Sequence, residues 1–187
     1  KATKSHISLK MAAFVPLEIL NLTASIPYNF KADSRVFVNG YQSWTECREM
    51  FKDERQSHTF GPISFAYRRT LLGAAGAYTF DDNVSRRGVF QGFSYMYVRN
   101  GEEYDLFASL TERTGYTIFT ADFNSNMITV QKDLEGVIVD CEYEVLNLAE
   151  YVGNEDSVFD NWFDELNIPK PSVAPKNGYT TWYNYYS

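Results

Sequence analysis

Hydrophobic and polar residues alternate along most of the chain with a period of two, which is the period of a β-strand with one buried face. The alternation is clear at Ile7, Leu9 and Met11, and a looser form follows at 19–24. Further segments rich in aromatic and β-branched residues recur at short intervals, at 36–38, 63–67, 77–80, 93–98, 104–110, 116–119, 127–130 and 136–143. Each of these segments predicts a strand.

Turn-forming residues separate the segments. Asn100-Gly101 is typical of a hairpin turn, and 113–115, 124–126 and 134–136 have the Gly, Asn and Ser content of turns. Many short strands joined by turns predict a mainly β fold, an antiparallel β-sandwich.

One segment has a helical period instead. Its apolar residues fall on one helical face, at Val158, Phe159, Trp162, Phe163 and Leu166. Asn154 or Asp156 can cap the N-terminus. The segment 154–166 therefore predicts a helix that leads out of the sandwich.

A proline-punctuated stretch follows at 168–176 and is typical of a linker between domains. An uncharged aromatic run then begins at Asn177. We expect a sandwich domain at 1–153, a helix and linker at 154–176, and the first strand of a second domain at 177–187. The chain is then part of a longer protein.

Composition and charge exclude several classes of protein. The 187 residues are 44% hydrophobic and 22% charged, which suits a globular protein with a sizeable core. The net charge is −7 and no basic stripe offsets it, so we expect no nucleic-acid partner. No apolar run reaches the roughly 20 residues of a membrane-spanning helix. We expect a soluble, cytoplasmic protein that does not interact with membranes.

The two cysteines, Cys47 and Cys141, favour free thiols in a reduced compartment, with a disulfide between them as the alternative. Residues for metal or cofactor chemistry are scarce. His6 and His58 do not have the sequence spacing from Cys, Asp or Glu that metal ligands have. We therefore expect both histidines to lie on the surface, and we expect no metal site. No cofactor is expected.

An aromatic motif occurs twice. Residues 39–44 read Asn-Gly-Tyr-Gln-Ser-Trp, and residues 177–182 read Asn-Gly-Tyr-Thr-Thr-Trp. A Trp after a glycine turn is typical of a core anchor. It can also bind sugars, because the C–H face of a sugar ring stacks on an indole while polar neighbours bind its hydroxyls. Both interpretations are open for Trp44 and Trp182.

Residues 178–183, Gly-Tyr-Thr-Thr-Trp-Tyr, resemble the first barrel strand of the α-galactosidases of glycoside hydrolase family 36. Residues 39–44 are similar to the Trp-bearing loop of that family's N-terminal β-sandwich, a supersandwich. The resemblance covers the layout of the chain, and it implies that 177–187 begin a (β/α)8 barrel that is truncated at Ser187.

This resemblance implies a retaining glycosidase that hydrolyses terminal α-galactosides such as melibiose and raffinose. Its catalytic residues, two aspartates, would lie on barrel strands beyond Ser187, so the present chain alone is expected to be inactive. The implied substrate-binding residues are Trp44, Trp182 and Tyr183. The implied partners are α-galactoside saccharides and the protein's own catalytic barrel.

Other functions are also compatible with the residues. The chain could be a stand-alone carbohydrate-binding sandwich, or a structural domain in which Trp44 is buried. Within the family resemblance, activity on α-glucosides or galactose transfer is a further alternative.

Overall fold

The computed structural model describes residues 2–40, 46–56, 86–113 and 115–169. In these ranges the chain is mainly β, as predicted, with two antiparallel sheets and one C-terminal helix. The elements are β1 Thr3–Ala12, β2 Leu17–Pro27, β3 Arg35–Val38, β4 Arg48–Phe51, β5 Val89–Phe93, β6 Tyr95–Asn100, β7 Glu103–Ser109, β8 Tyr116–Asp122, β9 Met127–Val139, β10 Glu142–Gly153 and α1 Glu155–Leu166.

The larger sheet has the strand order β1-β10-β7-β6-β3-β4, and the smaller sheet has the order β2-β9-β8-β5. Alternate residues of both sheets point into a shared apolar core. In β3, for example, Val36 and Val38 are buried while Arg35 and Phe37 are only half-buried. The core joins Val36, Val38, Met50, Met96, Val98, Phe107, Leu146 and Leu148 of the larger sheet to Phe90, Phe119, Ala121, Ile128 and Val130 of the smaller one.

Helix α1 packs on the other face of the larger sheet. Val158 and Trp162 are the buried residues of the helix, and they contact Leu106 and Tyr151 in a second apolar cluster. The Trp162 indole also donates a hydrogen bond from Nε1 to the Ser109 carbonyl oxygen at 3.2 Å. The predicted helix is confirmed.

The N-cap of α1 is Asn154, one of the two candidates from the sequence. Its side chain accepts a hydrogen bond from the Ser157 backbone N–H at 2.9 Å. Asn167 ends the helix in the left-handed region, at φ 47°, and donates its backbone N–H to the Asp164 carbonyl oxygen.

Two strand boundaries predicted from the sequence are wrong. The segment 93–98 is not one strand, because Ser94 has a φ of 65° and the chain passes there from the smaller sheet to the larger one. The turn predicted at 134–136 lies inside β9, where Glu135 and Gly136 have positive φ and the pairing with β2 is irregular. The break between strands falls at 140–141 instead.

Among the described strands, β5 is at the edge of the smaller sheet, yet all five of its residues are buried. The Gln56 side chain occupies this edge: its Oε1 accepts from the Gln91 backbone N–H at 2.7 Å, and its Nε2 donates to the Gln91 carbonyl oxygen at 3.1 Å. The Gln56 side-chain amide thus makes, at this residue, the pair of hydrogen bonds that a paired strand would make.

Several predictions fall outside the described residues. They are the strands at 63–67 and 77–80, the linker from residue 170 onward and the barrel strand at 177–187. Cys47 and Cys141 are free and exposed. In the described ranges, no helix has the length and apolar character needed to cross a membrane.

Candidate functional site

The three substrate-binding residues predicted from the sequence, Trp44, Trp182 and Tyr183, all lie outside the described residues. The structure does describe both ends of the segment 41–45 that contains Trp44. The surface beside these two ends is therefore the candidate functional site.

Asn39 fixes the N-terminal end of the segment. Its Oδ1 accepts a hydrogen bond from the Phe93 backbone N–H at 2.5 Å, and its Nδ2 donates to the Tyr95 carbonyl oxygen at 3.2 Å. These two groups flank Ser94, where the chain changes sheets. The first residue of the aromatic motif therefore joins β3 to the β5–β6 junction.

Arg48 fixes the C-terminal end of the segment. Its guanidinium donates to the Glu46 carboxylate at 3.3 Å and to the Glu54 carboxylate at 2.8 Å. Glu54 also accepts from the Phe51 backbone N–H at 2.7 Å. That backbone hydrogen bond and the contact with Arg48 hold the pKa of Glu54 below its usual range.

Beside these anchors lies a surface of five half-buried aromatic rings, Phe37, Tyr95, Tyr97, Tyr104 and Phe159, which we call the aromatic surface. The rings of Phe37 and Tyr97 are nearly parallel, with centroids 4.9 Å apart, and Phe37 also stacks on Tyr95 at 5.7 Å. Phe159 of α1 meets Tyr95 and Tyr97 edge-on. The helix therefore borders the surface on one side.

A charged cluster centred on Glu49 borders the aromatic surface on the β4 side. Arg99 donates to the Glu49 carboxylate from Nε at 2.6 Å and also from Nη2, and Arg35 donates from Nη1 at 3.4 Å. The Tyr97 hydroxyl donates to the same carboxylate at 3.3 Å.

These contacts set the ionisation of the cluster. Hydrogen bonds from Arg99 lower the pKa of Glu49, and the Glu49 carboxylate raises the pKa of Arg99. Burial, followed by the charge of Glu49, raises the pKa of Tyr97. At neutral pH the cluster therefore holds an ionised carboxylate, and Glu49 has no proton to donate in acid catalysis.

Asp105 and Glu150 are a pair of carboxyl groups that the sequence analysis did not identify. Both lie on the core side of the larger sheet, because Glu150 is opposite Phe107 in the register and Asp105 is two residues from Phe107 on β7. Burial raises both pKa values, and Asp105 raises that of Glu150 further. Asp105 accepts a hydrogen bond from Tyr28. Neither carboxyl group faces the aromatic surface.

The described surface combines aromatic rings with charged and amide groups. Small-molecule sites are usually lined by apolar and aromatic side chains with a few polar groups that orient the ligand. In the described part of the chain, no three His, Cys, Asp or Glu side chains are placed to hold a metal ion. His6 is exposed, as predicted, and contacts Asn147, and His58 lies outside the described residues.

No protein-family model matches the chain, and no curated protein matches it significantly. The resemblance to glycoside hydrolase family 36 therefore depends on the two aromatic motifs and the layout of the chain.

Proposed function

We propose that this chain is the N-terminal part of a retaining glycosidase that hydrolyses terminal α-galactosides. In this proposal the two sheets form a β-sandwich that holds Trp44 against the sugar, while residues 177–187 begin a (β/α)8 barrel. Trp182 and Tyr183 line the pocket from the barrel's first strand, and the catalytic carboxylates belong to later barrel strands.

The observation that most supports the proposal is the anchoring of the segment 41–45 at both ends. Asn39 binds two backbone groups of the β5–β6 junction, and Arg48 binds two carboxylates. Side chains that are already held in place, as Asn39 and Arg48 are, lose less entropy when a ligand binds beside them.

The aromatic surface supports a sugar-facing role for the same region. It lies beside Asn39, because the Tyr95 carbonyl oxygen accepts the Asn39 amide. Helix α1 covers one part of the larger sheet's outer face and leads toward the linker, so the next domain would follow near the rings that the helix leaves half-exposed. A barrel packed there would face the segment 41–45.

This arrangement divides the chemistry between two domains. Retaining hydrolysis uses two carboxyl groups about 5 to 5.5 Å apart, one ionised and one protonated. Near the described ends of the segment, Glu46, Glu49 and Glu54 each contact an arginine. These glutamates therefore serve as structural anions, and the sandwich contributes a wall that excludes water from the barrel's active site.

The first test compares two lengths of the protein. The 187-residue chain should release no nitrophenol from a nitrophenyl α-galactoside, whereas the protein extended through the barrel should release it without added metal or cofactor. Proton NMR of the early product should show α-galactose, because the configuration is retained. The proposal would be contradicted if the 187-residue chain released nitrophenol. It would also be contradicted if the early product were β-galactose, or if a chelator inactivated the longer protein.

A stand-alone carbohydrate-binding domain is the second candidate, and the aromatic surface also favours it. Calorimetry with the 187-residue chain distinguishes the two functions. Saturable binding of oligosaccharides by the 187-residue chain, which lacks the barrel, would favour the binding domain. The glycosidase proposal expects weak binding, because half of the sugar pocket is absent.

A further inference from the structure

A cleft lies at the opposite end of β3 and β4 from the segment 41–45. It has a volume of about 490 Å³ and is formed by the ends of four separate stretches of chain. The lining residues are Phe30, Lys31, Ala32, Lys52, Asp53, Arg87, Phe123, Asn124 and Asn126.

The cleft is basic although the whole chain has a net charge of −7. Lys31, Lys52 and Arg87 line it, against a single carboxylate, Asp53. Among the described residues, Lys31 forms one long salt bridge, to Glu103 at 3.9 Å, and Lys52 and Arg87 form no salt bridge. Three cations that share one cleft repel each other, and a bound anion would relieve this repulsion.

The backbone that carries these cations is held in place. Gly88 has a φ of 74°, and a Cβ at this position would lie 3.0 Å from the Lys52 carbonyl oxygen, so glycine allows the two basic stretches to approach closely. The Gly88 carbonyl oxygen accepts from the Phe123 N–H at 2.9 Å. The Asn124 side chain donates to the Arg87 carbonyl oxygen at 3.0 Å.

Two aromatic rings form an apolar part of the wall. Phe30 and Phe123 are stacked, with centroids 4.2 Å apart and an angle of 24° between their planes. The pair links the stretch that carries Lys31 to the loop after β8. A site with cations beside an apolar wall suits a ligand that has both an anionic group and a less polar body.

We propose that this cleft binds the phosphate group of a small molecule. A phosphate dianion accepts hydrogen bonds on several oxygens, so it can bind two lysine ammonium groups and one guanidinium at once. The volume lies in the range of small-molecule pockets, about 300 to 1,000 Å³, which leaves room for a body such as a sugar ring against the phenylalanines. The proposal does not depend on the glycosidase function.

The test is isothermal titration calorimetry on the 187-residue chain at low ionic strength. Inorganic phosphate, glucose 6-phosphate and neutral glucose are the probes. The variant Lys52→Gln/Arg87→Gln removes two cations from the cleft. The control Lys10→Gln/Arg113→Gln removes the same charge at exposed positions that do not line the cleft.

Both phosphates should bind saturably and glucose should not. The phosphate dissociation constant should rise about tenfold or more in the cleft variant, and it should change by less than about twofold in the control variant. Added salt should raise the dissociation constant of the unmodified chain. Tighter binding of glucose 6-phosphate than of inorganic phosphate would identify a sugar phosphate as the ligand, and equal binding would identify the free anion.

A second measurement uses the unmodified chain, so its result does not depend on whether the variant folds. In heteronuclear NMR, the amide signals of residues 30–32, 52–53, 87–88 and 123–126 should shift together on addition of phosphate. The proposal is overturned if phosphate does not bind, if both double variants lose affinity equally, or if the shifting signals lie elsewhere.

Discussion

Glu49 is the most heavily bonded carboxylate at the candidate site, with hydrogen bonds from Arg99, Arg35 and Tyr97. Its side chain is only 20% exposed, so solvent screens these contacts less than it screens a surface ion pair. Side chains of two strands, β3 and β6, donate to this one side chain on a third strand, β4. Glu49 therefore holds together the part of the sheet that carries the aromatic surface.

We predict that Glu49→Gln lowers the free energy of unfolding by about 1 to 2 kcal/mol at pH 7, because the variant loses charge-assisted hydrogen bonds. The pKa of Glu49 is lowered in the folded state, so its stabilisation is present above the unfolded pKa of about 4.3 and is lost as the pH falls through the folded value. Urea unfolding at pH 7 and at pH 3 should therefore show a difference that shrinks on acidification.

Glu102→Gln serves as the control, since Glu102 is exposed in the β6–β7 turn. It should leave stability unchanged at both pH values. An equal loss for Glu49→Gln at pH 7 and pH 3 would show that the effect is not electrostatic.

A residue's role could be predicted from the sequence when its hydrogen-bond partner is nearby in the chain, but not when the partner is far away in the chain. Asn154 was a candidate N-cap because its partner, Ser157, is three positions away, and the structure confirms it. Asn39 was assigned to a motif with Trp44, but its partners are 54 and 56 positions away, at Phe93 and Tyr95. No local pattern indicates such partners.

At the scale of elements, helix α1 is held to the larger sheet by two buried side chains, Val158 and Trp162, and Trp162 is the larger of them. Trp162 is 8% exposed, its ring lies 5.1 Å from that of Tyr95, and its indole N–H is bonded to Ser109. The next residue, Phe163, is 52% exposed. The helical period placed both aromatics on one face, but only one of them reaches the sheet.

We therefore predict that Trp162→Ala lowers the free energy of unfolding by about 3 to 5 kcal/mol, because it removes a buried ring and leaves a cavity. Phe163→Ala should cost less than about 1 kcal/mol. Chemical denaturation of both variants checks this. Equal losses would mean that α1 does not dock through Trp162.

A second element-scale prediction concerns the edge of β5. Gln56→Ala removes both hydrogen bonds to the Gln91 backbone. The Gln91 backbone N–H should therefore exchange its hydrogen with solvent faster than in the wild type. The Phe93 amide, which is bonded to Asn39, should keep its protection. Hydrogen exchange followed by NMR checks this. An unchanged rate at Gln91, or equal acceleration at both amides, would contradict the role given to Gln56.

The strand boundaries show why elements were predicted only in part. The period of two marks a strand but not the sheet to which it belongs, so the passage between sheets at Ser94 looked like a continuous strand. Likewise, 134–136 has the composition of a turn, yet the irregularity stays within β9 because β2 continues to pair on both sides of it. Tertiary pairing outweighed local propensity at both places.

At the scale of the whole molecule, alternation was enough to predict two packed antiparallel sheets, because each strand needs a cover for its apolar face. It could not predict the aromatic surface or the basic cleft. Phe37, Tyr97 and Phe159 come from β3, β6 and α1, and Lys31, Lys52 and Arg87 come from three other stretches. The residues of each site come together only in the folded sheets, so their proximity cannot be predicted before the order of the strands is known.

In the proposed glycosidase, the two-sheet domain presents Trp44 to the sugar bound by the barrel. In the protein extended through the barrel, Trp44→Ala should remove a stacking surface worth about 1 to 3 kcal/mol. The matched control is Phe14→Ala, which truncates a fully exposed aromatic in the β1–β2 turn, at the far edge of the larger sheet from β3 and β4.

The decisive measurement is kcat/KM for an α-galactoside together with the melting temperature, on the wild type and both variants. We predict that Trp44→Ala lowers kcat/KM about tenfold to hundredfold, with a melting temperature close to that of the wild type, while Phe14→Ala changes neither quantity. A melting temperature several degrees lower for Trp44→Ala, with kcat/KM unchanged in the folded fraction, would show that Trp44 is a core anchor and not a sugar-binding residue.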